Sequence, residues 1–147
     1  MLIAGNGGAA RGAAFALAEA GVKLAITGRN PDRVRALAKT CGAEPLAREQ
    51  AEARYFDAVV HATPLGMYPN VSETFFPDRI PADVVFDMVY NPVETLLLRS
   101  ARAQGRTVVP GTEMFLEQAA RQFEIWTGES APRTVMERAA LEALANW

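Results

Sequence analysis

The feature that most constrains the fold of this chain is a glycine-rich turn between an apolar run and a helix pattern. Residues 1–4 are apolar and strand-like, Gly5-Asn6-Gly7-Gly8-Ala9-Ala10 fits G-x-G-x-x-A, and residues 9–20 form an alanine-rich helix pattern. In such a turn, Gly7 lets a phosphate approach the backbone and Ala10 lets the helix pack closely on the strand. The pattern therefore predicts a dinucleotide-binding turn, in which N–H groups at the helix start hold a pyrophosphate.

The same alternation of strand and helix patterns continues along the chain. Strands are predicted at 1–4, 22–27, 57–61, 84–89 and 107–109, and helices at 9–20, 31–40, 46–54, 94–104, 113–127 and 132–145. Such alternation implies a parallel sheet with helices on both faces and right-handed crossovers. We expect a doubly wound, Rossmann-like α/β domain over residues 1–110, followed by two C-terminal helices within residues 111–147. The long loop from residue 63 to about residue 82 is expected to be functional.

Composition narrows the class of function. Half of the 147 residues are apolar and the net charge is −2, with the 13 Arg and 2 Lys scattered among 17 acidic residues. This distribution argues against a nucleic-acid surface. Cys41 and His61 are the single cysteine and histidine, so no Cys/His metal site is expected. The sequence has no apolar run of the ~20 residues that a membrane span needs, and its start is unlike a signal peptide. We therefore expect a cytoplasmic protein with a small-molecule site.

The segment after the second predicted strand indicates which dinucleotide is bound. It reads Thr27-Gly28-Arg29-Asn30, without the acidic residue that takes the ribose 2′-OH in NAD-preferring folds. Arg29 could instead hold a 2′-phosphate through a charge-assisted pair. Arg33 could add to this clamp, although a solvated charge fits its position as well. The sequence therefore favours NADP over NAD.

Three later segments carry a family resemblance. His61-Ala62-Thr63-Pro64-Leu65-Gly66-Met67 resembles the N-A-T/S-P-x-G-M segment of shikimate dehydrogenases. Asp87-Met88-Val89-Tyr90-Asn91-Pro92 resembles their D-x-x-Y-x-P, and the segment from Gly111 to Ala119 resembles their G-x-x-M-L/F-x-x-Q-A. The Arg29 segment is similar to the family's N-R-T/S. Residues 71–77 also resemble the dehydrogenase half of fused dehydroquinate dehydratase–shikimate dehydrogenases.

The resemblance implies NADPH-dependent reduction of 3-dehydroshikimate to shikimate, in the pathway to chorismate and the aromatic amino acids. The cofactor-binding residues, taken from the motifs and the resemblance together, are Gly5, Asn6, Gly7, Gly8, Ala9, Thr27, Arg29, Asn30, Arg33, Thr63, Met67, Gly111 and Met114. Tyr90 and Gln118 are the substrate-binding residues that it implies. Other roles stay open: Tyr90 as a packed turn aromatic, Gln118 as a surface amide, and Met67 and Met114 as core residues.

The departures from the family pattern matter as much as the matches. His61 stands where the family usually has Asn, and Gly28 replaces the Asn before the arginine. A lone His at a strand end is more often structural than catalytic. In the family a Lys–Asp pair in an N-terminal domain handles the proton, and neither Lys23 nor Lys39 is placed to replace that lysine. We therefore expect no catalytic residue in this chain, no turnover by it alone, and a substrate shared with an N-terminal domain, whether the chain was excised or is naturally separate.

The C-terminal helices suggest an interaction surface. An apolar stripe at helical spacing runs along the first of them, formed by Leu116, Ala119, Ala120, Phe123 and Trp126 or Thr127. In the family these helices pack toward the N-terminal domain, so an exposed stripe could support a homodimer. Two other functions stay open from the sequence: a dehydrogenase for quinate or another polyol, and a non-catalytic NADP-binding regulatory module.

Overall fold

Six parallel strands form one sheet in the computed structural model, which describes residues 1–145. The strands are β1 (Leu2–Ala4), β2 (Ala25–Thr27), β3 (Glu44–Pro45), β4 (Phe56–His61), β5 (Ala82–Asp87) and β6 (Thr107–Val109). Their order in the sheet is β3-β2-β1-β4-β5-β6, and every neighbouring pair is parallel. The chain thus changes direction across the sheet beside β1, where Ala4 pairs with both Thr27 and His61. The predicted doubly wound α/β fold is confirmed.

Six helices complete this part of the chain. They are α1 (Gly8–Glu19), α2 (Pro31–Cys41), α3 (Arg48–Ala53), α4 (Leu96–Ala103), α5 (Gly111–Thr127) and α6 (Arg133–Ala145). The ends of α2 show why such sequences form helices. The Asn30 side chain accepts a hydrogen bond from the Arg33 N–H at 3.1 Å, Pro31 occupies the first turn, and Gly42 ends the helix in the left-handed conformation.

The two faces of the sheet bury separate apolar clusters. In β1, Leu2 and Ile3 point to opposite faces, and both are completely buried. The Leu2 face is covered by α3, α4 and the loop between β4 and β5, which buries Phe75, Phe76 and Ile80. The Ile3 face is covered by α1 and α2. The long loop between β4 and β5 is therefore part of the hydrophobic core.

The observed elements differ from the predicted ones mainly at short or capped segments. The two-residue strand β3 was not predicted, because its exposed Glu44–Pro45 carries no apolar signal. Strand β2 is shorter than predicted, and α4 begins later because Thr95 caps it by accepting a hydrogen bond from the Leu98 N–H. The division into residues 1–110 and 111–147 stays a prediction, and its last two residues lie outside the described part of the chain.

Candidate functional site

A crevice lies where the carboxyl ends of β1, β2 and β4 meet. Its cavity has a volume of about 840 Å³ and is lined by the residues that follow these three strands, Gly5, Gly28 and Ala62 among them. In open α/β sheets the ligand binds outside the carboxyl ends of the strands, at the point where the strand order reverses. The crevice lies at that point in this sheet.

The first glycine of the turn is required by the protein itself. Gly5 has a φ of +142°, and a Cβ there would lie 2.5 Å from the carbonyl oxygen of Ala62. The Gly5 N–H donates a hydrogen bond to the Thr27 carbonyl oxygen at 2.8 Å. The turn is therefore locked between the ends of β2 and β4, which places the start of α1 at the crevice.

The next two glycines, Gly7 and Gly8, are not required by packing within the protein. A Cβ on Gly7 or Gly8 would meet no atom within 4 Å, and Gly7 has a φ of −86° that any residue can adopt. The first N–H groups of a helix lack intrahelical acceptors, and no side chain caps α1. The backbone at Gly7, Gly8 and the exposed Ala9 is thus open to an anion, as a pyrophosphate requires.

The loop after β2 is joined to the glycine turn. The Asn6 Nδ2 donates a hydrogen bond to the Asn30 carbonyl oxygen at 3.1 Å. A Cβ on Gly28 would lie 3.1 Å from that same Nδ2. Gly28, which departs from the family pattern, therefore makes room for this contact. Thr27 is completely buried at the end of β2 and does not line the crevice.

Three arginines line the cavity: Arg29, Arg35 and Arg48. Arg35 pairs with Asp32 at 2.5 Å and Arg48 pairs with Glu52 at 2.7 Å, whereas Arg29 has no acidic partner within residues 1–145. Arg29 is thus available to an incoming anion. Arg33 is exposed and does not line the cavity. Sequence reasoning missed Arg35 and Arg48, because their place depends on how α2 and α3 pack.

A buried hydrogen-bond network lies at the ends of β4 and β5. His61 and Asp87 are register partners with no exposed surface, and the His61 Nδ1 lies 2.8 Å from the Asp87 Oδ1. The His61 Nε2 lies 2.5 Å from the hydroxyl of Thr63, which lines the crevice. On the other side, the Thr95 hydroxyl donates to the Asp87 Oδ2 at 2.5 Å. Asp87 and Thr95 were not predicted as site residues, because the predicted strand 84–89 runs past Asp87, whereas the observed β5 ends there beside His61.

The residues predicted to contact substrate lie on the turn after β5 and on α5. Tyr90 is 39% exposed and stacks on Phe115, with ring centroids 4.8 Å apart. Gln118 lies one turn beyond Phe115 on α5 and is exposed. The Tyr68 N–H donates a hydrogen bond to the Asn91 carbonyl oxygen at 3.1 Å, which ties the loop after β4 to the Tyr90 turn. These segments therefore form one rim at the β5 side of the sheet edge.

Three other predicted cofactor residues do not line the crevice. Met67 is 45% exposed on the loop after β4 and is not among the residues that line the crevice. Gly111 starts α5 against the exit of β5, where a Cβ would lie 2.4 Å from the Val89 carbonyl oxygen. Met114 lines a second cavity of about 500 Å³, between α5, α6 and the β5–β6 side of the sheet.

A half-exposed ion pair joins α5 and α6. Glu117 on α5 accepts hydrogen bonds from Arg133 at 2.5 Å and from Arg121 at 2.8 Å. The hydrogen bond from Arg133, followed by that from Arg121, lowers the pKa of Glu117 from 4.5 to about 2. The carboxylate is therefore the ionised centre of this contact.

Two other features are absent from residues 1–145. None of their helices is long and apolar enough to cross a membrane. Nor does this part of the chain contain a group of three or more His, Cys, Asp or Glu residues that could hold a metal ion.

Comparison with known proteins agrees with this geometry. Residues 1–91 match the family model described as NADP oxidoreductase, coenzyme F420-dependent, and residues 111–141 match that of the shikimate 5'-dehydrogenase C-terminal domain. The shikimate dehydrogenase (NADP(+)) of Moorella thermoacetica is 41% identical in an alignment 156 positions long, which covers 97% of this chain and 53% of that protein. The fold and the glycine turn, with these matches, define the class as an NADP-type oxidoreductase nucleotide-binding domain.

Solved structures with the same fold show which oxidoreductases this chain resembles. Shikimate 5-dehydrogenase from Thermus thermophilus, in complex with NADP(H) and shikimate, superimposes with a TM-score of 0.83 at 36% identity, over 97% of this chain and 54% of that one. Quinate dehydrogenase from Corynebacterium glutamicum, in complex with NAD, superimposes with a TM-score of 0.85 at 32% identity, over 96% and 54%. Nearly the whole chain is therefore similar to the nucleotide-binding half of shikimate dehydrogenases, and residues 111–141 match their C-terminal domain. It spans about half the length of the relatives it matches.

Proposed function

We propose that this chain binds NADP and forms the cofactor side of an enzyme that reduces 3-dehydroshikimate to shikimate. The observation that carries the proposal is the crevice itself. The glycine turn is open at Gly7 and Gly8, where the fold does not need glycine. Arg29 also lines the crevice and has no acidic partner in the described chain. These are the two features that a dinucleotide with a 2′-phosphate requires.

Each part of the cofactor has residues that would hold it. N–H groups from Gly7 to Ala9 would bind the pyrophosphate at the start of α1, and Arg29 would pair with the 2′-phosphate, with Arg33 as a second candidate. Asn6 and Asn30 would keep the loops after β1 and β2 together through their hydrogen bond. Thr27 would support the floor of the crevice, while Thr63, Met67, Gly111 and Met114 stay proposed contacts or supports for the nicotinamide half.

The rim at the β5 side would hold the substrate. Bound NADPH supplies a hydride to the ring ketone. Tyr90 and Gln118 would donate hydrogen bonds to ring hydroxyls, and the stack on Phe115 fixes the Tyr90 ring for this role. The carbonyl oxygen takes a proton as the alcohol forms. We propose that this proton comes from the Lys–Asp pair implied by the resemblance, in the half of the relatives that this chain does not span.

Titration calorimetry with NADP and NAD tests the cofactor assignment. The wild type should prefer NADP, and Arg29→Ala should weaken NADP by about 10- to 100-fold while changing NAD little, because hydrogen bonds to charged groups contribute roughly 1.5–3 kcal/mol. Gly7→Ala should weaken both dinucleotides by crowding the pyrophosphate. Gly12→Ala is the matched control, since Gly12 is on the same helix and a Cβ there also meets nothing within 4 Å.

Two results would count against the proposal. Equal affinity of the wild type for NADP and NAD would overturn the role of Arg29, an outcome made realistic by the NAD-bound quinate dehydrogenase of the same fold. Oxidation of shikimate by the chain alone would overturn the proposed source of the proton. A homodimer through the C-terminal helices and a cytoplasmic location stay predictions.

A further inference from the structure

The buried network of His61 reaches the crevice through one hydroxyl. Thr95, Asp87 and His61 are each at most 1% exposed, and the chain of hydrogen bonds that joins them ends at Thr63 on the crevice wall. The proposed function uses Thr63 as a contact but gives no role to His61. The geometry at each link decides which atoms carry the protons.

Asp87 fixes the tautomer of His61. Its Oδ1 accepts the Val89 N–H at 3.1 Å, and its Oδ2 accepts the Thr95 hydroxyl proton, since that hydroxyl itself accepts the Leu98 N–H at 3.2 Å. A carboxylate surrounded by donors requires a donor from His61 as well, so Nδ1 carries a proton. In the neutral imidazole, Nε2 is then an acceptor.

The tautomer of His61 in turn fixes the direction in which the Thr63 hydroxyl donates its proton. With Nε2 as acceptor, the single Thr63 hydroxyl proton points to His61. One lone pair of the Thr63 oxygen faces the Leu65 N–H at 3.3 Å, and the other is left for the crevice. Thr63 therefore presents only a hydrogen-bond acceptor to a ligand.

We propose that His61 is a positioning residue, which holds Thr63 as an acceptor for an N–H donor of the bound ligand. This inference rests on the proposed function, and under it the donor is the carboxamide NH₂ of the nicotinamide. Thr63 follows β4, on the opposite side of β1 from the loop after β2 that carries Arg29. A dinucleotide bound across β1 with its 2′-phosphate at Arg29 brings its nicotinamide half to Thr63.

Two substitutions separate this role from a structural one. His61→Asn keeps a donor near the position of Nδ1 for Asp87 but has no atom near Nε2, so it should fold well and release the Thr63 hydroxyl. His61→Gln keeps an acceptor near Nε2 but loses the donor at Nδ1, so it should be less stable yet hold Thr63. Stability should fall in the order wild type, Asn, Gln, whereas NADP affinity should fall in the order wild type, Gln, Asn. The same order for both properties would overturn the proposal.

The choice of ligand identifies the half of the dinucleotide that is affected. His61→Asn and Thr63→Val should each weaken NADP about fivefold, the effect of one ordinary hydrogen bond, and should leave adenosine 2′,5′-bisphosphate unchanged because it lacks the nicotinamide. In the Thr63→Val background, His61→Asn should cause no further loss. Additive losses, or equal losses for both ligands, would overturn the role of His61 while leaving NADP binding intact. Failure of the wild type to bind NADP would overturn the proposed function and this inference with it.

Nitrogen-15 NMR of the imidazole tests the tautomer directly. At pH 7.5 the wild type should show a protonated Nδ1 and an unprotonated Nε2. A proton on Nε2, or on both nitrogens, would overturn the assignment. Should His61→Asn fail to fold, this spectrum and the Thr63→Val titrations with the two ligands still decide the question.

Discussion

Replacement of Gly111 by alanine tests whether this glycine is needed for packing. Gly111 begins α5, and a Cβ there would lie 2.4 Å from the Val89 carbonyl oxygen, 2.7 Å from its carbon and 2.8 Å from the Asp87 carbonyl oxygen. All three atoms belong to the backbone at the exit of β5, so no side-chain rotation relieves the overlap. The start of α5 would have to move away from the sheet, and the Phe115–Tyr90 stack would move with it.

The expected loss of stability in Gly111→Ala follows from the cost of overpacking. Inserting a methyl group into a well-packed site costs roughly 1–3 kcal/mol, and contact with three backbone atoms places Gly111→Ala at the upper end. In a domain of this length, about 3 kcal/mol corresponds to a Tm roughly 6–12 °C lower. Gly12→Ala is the matched control, because its Cβ meets no atom within 4 Å in the interior of α1. It should raise the Tm by roughly 2–4 °C, since alanine is favoured over glycine in a helix by about 1 kcal/mol.

Thermal unfolding followed by circular dichroism measures both variants under identical conditions. The near-ultraviolet spectrum of Gly111→Ala should also lose the contribution of the Tyr90–Phe115 stack. A Gly111→Ala variant that unfolds at or above the wild-type temperature would refute the packing argument. Gly111 would then have no role left other than its predicted contact with the cofactor.

Two further predictions concern the C-terminal helices. Because the folded pKa of Glu117 is lowered to about 2 from 4.5, its stabilising contribution is present above about pH 4.5 and is lost as the pH falls toward 2. The protection factors of the α6 amides, which correct for the pH dependence of intrinsic exchange, should therefore fall over this range in the wild type but not in Glu117→Gln, and added salt should reduce the difference; identical profiles would contradict the role of this ion pair. Ile125 and Trp126 are each 78% exposed on α5, so if the predicted homodimer forms through this surface, sedimentation should show weaker association for Trp126→Ser than for Phe15→Ser on α1. A monomeric wild type at high concentration would contradict the homodimer.

Much of the fold could be predicted because its signals are local. The cap at Asn30, the proline after it and the left-handed Gly42 lie within one segment, so the bounds of α2 were predicted nearly correctly. The alternation of strands and helices then implied the parallel sheet, and the glycine turn implied which strand lies beside the crevice. Segments with weak local signals were not predicted, as the two-residue β3 shows.

Parts of the candidate site could not be predicted because they depend on tertiary packing. Arg48 lines the crevice because its guanidinium is held over the Phe75 ring, 4.6 Å from the centroid, and donates to the Phe75 carbonyl oxygen. Those residues are 27 positions apart, so no local pattern joins them. The contact of His61 with Asp87 is similar, because the predicted strand 84–89 extends two residues beyond Asp87 and the sequence does not define the register that pairs the two residues.

Glycine shows best how the structure separates the demands of the fold from those of a ligand. At Gly5 and Gly111 the protein's own backbone lies within 3 Å of where a Cβ would be, so stability alone explains the glycine. At Gly7 and Gly8 the same construction meets open space, and the sequence motif alone cannot distinguish the two pairs. If nothing in the folded chain excludes a side chain at Gly7, then only a bound molecule can. Gly7→Ala should therefore weaken binding while lowering stability only by the small preference of an N-cap for glycine over alanine. A variant with lower stability and unchanged dinucleotide affinity would show that the fold, and not the ligand, requires this glycine.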